Sequence, residues 1–218
     1  MMVVMWKKEY KKEKFYWGLK ADDILVKYLD KIPKGKALDI GAGEGRNSLF
    51  LAQNGFEVKA IDKIPDGLKK CEDLAKKNNL PITIEVVDVA QFDFKPEEYS
   101  LIISVAAISF SKKTQLEELI KKIKKSLIKN GVVYIKEFTI SDPMFKKFSG
   151  AMEQVEPNTF YSDKMQSYRY FFNQKELKKL FEDYNILYYK EYLQEDAHPE
   201  PHQHGIVEII AQKKRGQL

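Results

Sequence analysis

Asp39, Gly41, Gly43 and Gly45 form a D-x-G-x-G-x-G run inside the stretch ALDIGAGEGRNSLFLAQNGFEVKAID. Glycine takes positive φ freely and, lacking Cβ, lets a ligand approach the backbone, while a helix beginning near Arg46 aims unpaired N–H groups at that ligand. The turn is expected to face a ligand, with Gly41, Ala42, Gly43, Gly45 and Asn47 along it. Asp62 follows about twenty residues on, where an ionised carboxylate, which only accepts hydrogen bonds, suits the two hydroxyls of a ribose. Asp88 closes a third apolar run and is followed by Val89, an acid and an apolar wall beside which an adenine ring would fit. Each acid alone is as easily a cap or a turn residue; three at successive strand ends, together with the glycines, make a specific arrangement. A dinucleotide site spaces its glycines G-x-G-x-x-G to bring pyrophosphate onto the helix N-terminus, and here the third glycine comes one residue early.

A second group with chemical potential is HPEPHQHG, which holds all three histidines of the chain, His198, His202 and His204. His202 and His204 are two apart and share a face if the segment is a strand. Three readings stand open: surface or strand residues without chemistry, a metal site completed by His198 with Glu200 or Glu195, and a place in a substrate pocket. The two prolines of the segment restrict how it can wrap an ion, so no metal is expected.

These groups need elements to hold them. The chain has 218 residues, enough for one α/β domain, and residues 1–218 are read as a single domain. Apolar strand runs (KALDI, FEVKAID, ITIEVVD, YSLIISV, GVVYIKEF) alternate with amphipathic helix patterns, among them DGLKKCEDLAKKNN and KTQLEELIKKIKKSLIKNG, the latter ending at Asn-Gly. Alternation of this kind predicts a doubly wound, mostly parallel sheet of seven strands with helices on both faces, its ligand site beyond the carboxyl ends of the strands. NILYYKEYL and GIVEIIAQKK are close enough to close the sheet as a C-terminal antiparallel hairpin. Residues 139–169 lose periodicity and are too long for an idle connection, so they are expected to be an irregular cover over the acceptor site, carrying Tyr161, Tyr168 and Arg169.

Composition narrows the partners. The formal charge is +5, from 37 basic and 32 acidic residues, yet the arginines are only Arg46, Arg169 and Arg215. Recognition of nucleic acid by forked guanidinium groups is hard to build from so few, and the lysine runs have the spacing of solvated helix faces. Cys71 is the single cysteine, so an internal disulfide is impossible and a cytoplasmic location is expected. The longest apolar run, around LIISVAAISF, is too short to span a bilayer. A monomer or homodimer without membrane insertion is anticipated.

With those residues in view, LDIGAGEGRNSLFLAQNGFEVKAID resembles the tellurite-resistance methyltransferase family within the class I S-adenosylmethionine-dependent methyltransferases, the wider likeness covering about residues 37–138. The resemblance implies a Rossmann-like methyltransferase fold with S-adenosylmethionine as cofactor. The glycine loop would hold the methionine part, Asp62 the ribose, and Asp88 with Val89 the adenine, with Lys63, Ser104 and Val105 among the further cofactor-binding residues. YWG resembles an N-terminal element that closes over the cofactor, here within residues 1–32 with Tyr16 and Trp17 as its aromatic face. The implied acceptor is a small molecule, a chalcogen oxyanion or a thiol, with His202, His204 and Arg169 as catalytic candidates and nucleic acid disfavoured. A hydroxyl acceptor would need a base such as His202 or Glu137. Between the fourth strand and its helix, SVAAISF lacks the Asn/Asp-Pro-Pro-Tyr/Phe signature of many enzymes that methylate bases or protein glutamine. The competing readings are an RNA or protein methyltransferase and, on shared fold logic alone, a dinucleotide-dependent oxidoreductase.

Overall fold

The computed structural model of the chain describes residues 6, 8–12, 14–163, 166–196 and 202–214. After a short helix α1 (Asp23–Tyr28), the chain alternates strand and helix: β1 (Lys36–Ile40), α2 (Arg46–Gln53), β2 (Glu57–Asp62), α3 (Pro65–Lys77), β3 (Ile82–Val86), β4 (Tyr99–Val105), α4 (Lys113–Ser126) and β5 (Leu127–Phe138). These five strands are parallel, and the hairpin of β9 (Asn185–Asp196) and β10 (His202–Gln212) completes a seven-stranded sheet of order β3-β2-β1-β4-β5-β10-β9. Strand β10 runs antiparallel to both β5 and β9 and so occupies an interior position. The doubly wound sheet with an antiparallel closing hairpin is the architecture that the alternating pattern predicts.

The sheet is covered on both faces because its strands alternate between two cores. Leu38, Ile40 and Ile102 enter one cluster, while Ala37, Leu101 and Ile103 enter the other. Helix α4 seals the first with Leu116, Leu119, Ile120 and Ile123, the spacing of a single helical face. Order reverses at β1, which pairs with β2 on one side and β4 on the other. Beyond the carboxyl ends of β1 and β4 the chain therefore leaves a crevice, the place where open sheets of this kind bind ligands.

Two expectations are corrected. Helix α4 ends at Ser126, not at Asn130-Gly131: Leu127 is fully buried, pairs with Tyr99 and opens strand β5, and Asn130 takes φ 61°. Sheet pairing overrides a helical period that continues through this segment. The cover, expected to be irregular, contains α5 (Pro143–Ala151) and a three-stranded antiparallel sheet of β6 (Glu153–Glu156), β7 (Thr159–Ser162) and β8 (Ser167–Tyr170). Phe148, Phe160 and Phe171 pack together beneath it. Strands of four residues with mixed polarity give too short a period-two signal to read. A short helix α6 (Glu176–Leu180) leads into β9, and among the described residues no helix is long and apolar enough to cross a membrane.

Candidate functional site

The glycine turn is fixed from both sides of β1. Gly41 and Ala42 donate their N–H groups to Ile61 O at 2.9 and 3.0 Å, holding the turn against the end of β2. Gly41 sits at φ 71° and Gly45 at φ 83°. A Cβ at Gly41 would lie 2.3 Å from Ala107 Cβ, and one at Gly45 would lie 2.2 Å from Cys71 Sγ. The missing Cβ atoms at these two positions thus make room for the protein's own neighbours, where the sequence suggested room for a ligand.

Asp62 ends β2 directly beneath the turn. Its Oδ2 accepts from Gly43 N at 2.9 Å and its Oδ1 from Ile64 N at 2.8 Å. Burial pushes this carboxyl above its usual range while those two N–H groups pull it back. Each oxygen keeps a further lone pair for a ligand donor. Asp39 is more deeply set: its Oδ2 accepts from Ser48 Oγ at 2.6 Å, and burial lifts its carboxyl to about 7.

From this turn a cavity of about 980 Å³ extends across the carboxyl ends of β1, β4 and β5. Of the expected binding residues, Asp39, Gly41, Ala42, Gly43, Gly45, Asn47, Asp62, Lys63, Asp88, Val89, Val105 and Trp17 line it, as do Arg169, Tyr168 and His204. Ser104, Tyr16, His202 and Tyr161 are not in its wall. Successive strand residues point to opposite faces, so Val105 borders the cavity and Ser104 is fully buried away from it. Tyr16 packs edge-on against Trp17 and donates its backbone N–H to Glu44 Oε2 at 2.7 Å. His198 and Glu200 lie outside the described residues.

The far end of the cavity is built by β5 and the cover. Glu137, fully buried on β5, accepts at Oε1 from the backbone N–H groups of Ala107 and Ile108, both at 2.9 Å, and of Ser109 at 3.3 Å. Three donors on one oxygen fix the β4–α4 loop; burial raises this carboxyl, opposed by Ser109 and the Arg169 charge. Arg169 comes in from β8 with its guanidinium carbon 3.8 Å from the ring centre of Phe110 and 4.6 Å from that of Phe138. Its Nη1 donates to Ser109 Oγ at 3.2 Å. Burial lowers its pKa to about 10, which leaves it charged at neutral pH.

His204 stands at the same end, with Nδ1 2.8 Å from Asp142 Oδ2 and Nε2 2.9 Å from His202 Nε2. Asp142 caps α5 through Met144 N at 2.8 Å and also accepts from Gly205 N at 3.1 Å. Sequence reasoning missed Phe110, Phe138, Asp142 and Asp196 at this end. Only Asp142 carried a readable signal, the Ser-Asp-Pro start of a helix.

The near end is tied to the segment before α1. Asp22 accepts from Arg46 Nη2 at 2.6 Å and from Asn47 Nδ2 at 3.1 Å, and Arg46 Nη1 donates to Lys20 O at 3.1 Å. Arg46 is therefore engaged by the protein itself. Trp6 stacks on Tyr10 and meets Tyr16 and Trp17, and both tryptophans border the cavity.

Comparison with known proteins adds a family to this geometry. The family described as "Tellurite resistance protein TehB" matches residues 3–201. The "Probable S-adenosyl-L-methionine-dependent methyltransferase TehB" of Haemophilus influenzae is 28% identical over 130 residues, covering 59% of this chain and 45% of that one. "Hemagglutinin 1" of Eikenella corrodens is 27% identical over 130 residues, covering 59% of this chain and 43% of its own. The match thus spans less than half the length of these curated relatives. The crystal structure of TehB from Haemophilus influenzae superimposes with a TM-score of 0.69 at 22% identity, covering 98% of this chain and 67% of that one, a likeness of fold.

Proposed function

The chain belongs to the TehB tellurite resistance family, and from that membership we propose that it is an S-adenosylmethionine-dependent methyltransferase acting on a small-molecule acceptor. The observation that carries the reading is one cavity running from Asp62 and the glycine turn to Arg169, room for a nucleoside at one end and a small acceptor at the other. The donor set fits this cofactor. Asp39, Asp62 and Asp88 surround the near end, whereas Arg46 is held by Asp22 and Lys20 and offers no free fork to pyrophosphate. An acid-lined pocket of this kind suits ribose hydroxyls and a cationic ligand, and disfavours a dinucleotide.

Bound there, S-adenosylmethionine supplies a methyl group on a positively charged sulfur. Asp62 receives the ribose hydroxyls, and Val89 with Asp88 borders the adenine. Phe110, Phe138 and Met144 keep water from the acceptor end, and Arg169 orients an acceptor that carries negative charge, such as a chalcogen oxyanion or a thiolate. Alignment of acceptor and methyl carbon accounts for up to roughly 7–11 kcal/mol of barrier lowering, so no strong base is required. The relative's name supports the cofactor and the family's description supports an oxyanion acceptor.

Calorimetry with S-adenosylhomocysteine and with NAD tests the cofactor: tight NAD binding without adenosylhomocysteine binding would sink the proposal. A methyl-transfer screen over tellurite, selenite, thiols, small hydroxyl compounds and tRNA tests the acceptor. Replacing Arg169 by Gln is expected to raise KM for an anionic acceptor by about 10- to 100-fold, the worth of one charge-assisted contact, and to leave adenosylhomocysteine affinity within a few-fold. A KM unchanged by that substitution would remove Arg169 from acceptor recognition.

A further inference from the structure

Beside the acceptor end, three side chains converge that the proposed methyl transfer does not use. Strands β9 and β10 place Asp196 directly across the hairpin from His202, and His204 follows two residues on, on the same face. One ligand atom from each of Asp196, His202 and His204 lies within 4.8 Å of the others. His204 Nε2 is 2.9 Å from His202 Nε2 and 3.9 Å from Asp196 Oδ2. A tetrahedral ion at about 2.0–2.1 Å from each ligand sets its ligands about 3.3 Å apart, so small side-chain rotations bring all three into place.

The orientation of His204 strengthens the match. Its Nδ1 faces the fully buried carboxylate of Asp142 at 2.8 Å, and Asp142 is itself fixed by Met144 N and Gly205 N. A carboxylate holding one imidazole nitrogen fixes the tautomer and aims the lone pair of the other, the support that metal-bound histidines commonly have. Here that lone pair points at His202 and Asp196. Asp196 and Asp142 together balance the charge of a divalent ion. Both Asp196 and His204 border the main cavity, so a fourth coordination position opens toward the acceptor end.

We propose that Asp196, His202 and His204 form a binding site for a divalent transition-metal ion of the zinc class, with Asp142 as the residue that positions His204. Two imidazoles and one carboxylate suit zinc over the harder magnesium and calcium. Pro199 and Pro201, which argued against metal in the sequence, lie outside the described residues, whereas these ligands come from the facing ends of β9 and β10. The site stands on its own residues; its use in catalysis rests on the methyltransferase reading. In that use, an acceptor O–H or S–H bound at the open position is acidified and loses its proton to water. The electron pair left behind forms the bond to the methyl carbon as the carbon–sulfonium bond breaks, giving methylated acceptor and neutral adenosylhomocysteine.

The test is zinc uptake by tag-free protein stripped with a chelator, measured by elemental analysis after dialysis and by competition with a chromophoric chelator. One zinc per chain with sub-micromolar affinity is expected. His202→Ala and Asp196→Ala should each lose stoichiometric uptake, and Asp142→Asn should weaken it about 10- to 100-fold, the usual effect of removing such a support. Cobalt(II) gives an independent readout through visible absorption bands that vanish in folded His202→Ala protein. Adenosylhomocysteine affinity is measured on the same preparation. No zinc bound by protein that binds adenosylhomocysteine overturns the metal site alone, as does full uptake in the His202→Ala and His204→Ala double variant. Zinc bound without adenosylhomocysteine leaves the metal site standing and removes the methyltransferase reading.

Discussion

At the scale of single residues, the acids of the near end do two jobs, and substitution separates them. Asp62 receives two backbone N–H groups of the protein besides any ribose, so Asp62→Ala is expected to cost about 1–3 kcal/mol of stability from donors left unpaired. It should also weaken adenosylhomocysteine binding by about 10- to 100-fold, the loss of a charge-assisted contact. Thermal melts and calorimetry read the two effects apart; unchanged affinity would exclude Asp62 from the site. Asp39 makes a pH prediction. Its carboxyl titrates near 3.8 when solvated and at about 7 in the fold, because burial disfavours its charge. Between those values the folded chain holds a proton that the unfolded chain has released, so stability falls as pH rises through that window and levels off above it. The gap corresponds to roughly 4 kcal/mol, and Asp39→Asn should abolish that part of the slope. Denaturant unfolding of both proteins at pH 4.5 and pH 7.5 gives the comparison, and parallel pH dependences would refute the buried-acid account. Asp39, Asp62, Asp88 and the glycines were legible in the sequence because local order alone puts them at strand ends. Phe110, Phe138 and Asp196 were not, since their neighbourhood is made by strands far apart in the chain.

At the scale of elements, the turn between β1 and α2 is where local conformation and packing coincide. Gly41→Ala meets both a left-handed φ and a Cβ contact of 2.3 Å with Ala107. We expect it to destabilise by about 3 kcal/mol or more, strain of about 1–2 kcal/mol plus the overlap. In an Ala107→Gly background the overlap disappears and only the strain remains, so the double variant should be more stable than Gly41→Ala alone. Purely additive costs in a double-mutant cycle would show that the two residues do not press on each other. Elements with strong periodicity, such as the β4 run and the body of α4, were readable from sequence because one face or both must be buried. The end of α4 was not, because Leu127 satisfies the helical period and the sheet alike and only the partner Tyr99 decides between them. The cover hid its small sheet for a related reason: Phe148, Phe160 and Phe171 come from three separate segments, and no single window contains their cluster.

At the scale of the whole molecule, the segment before α1 and the hairpin after α6 both border one cavity and lie close enough for the Asp196 charge to act on the Tyr16 hydroxyl. The chain has 2 tryptophans, and both Trp6 and Trp17 border the near end. Tryptophan emission, excited apart from the 12 tyrosines, therefore reports on that segment, and adenosylhomocysteine is expected to shift or quench it, with part of the change lost in Trp17→Phe. A flat titration at ligand concentrations that calorimetry shows to be saturating would retire this segment as a cover. The far end depends on β10 lying between β5 and β9, and this order has a consequence for synthesis. The ribosome makes β5 and β9 before β10, yet in the finished sheet the two are not neighbours, and the native partner of the β5 edge is missing until residues 202–212 emerge. At about 5–20 residues per second the nascent chain spends roughly 4–15 s in that half-zipped state after β5 is complete. Asp39, Asp62 and Asp88 all precede β5 in the chain, so on the methyltransferase reading the cofactor is expected to meet its acids before the edge that favours misassembly has been covered.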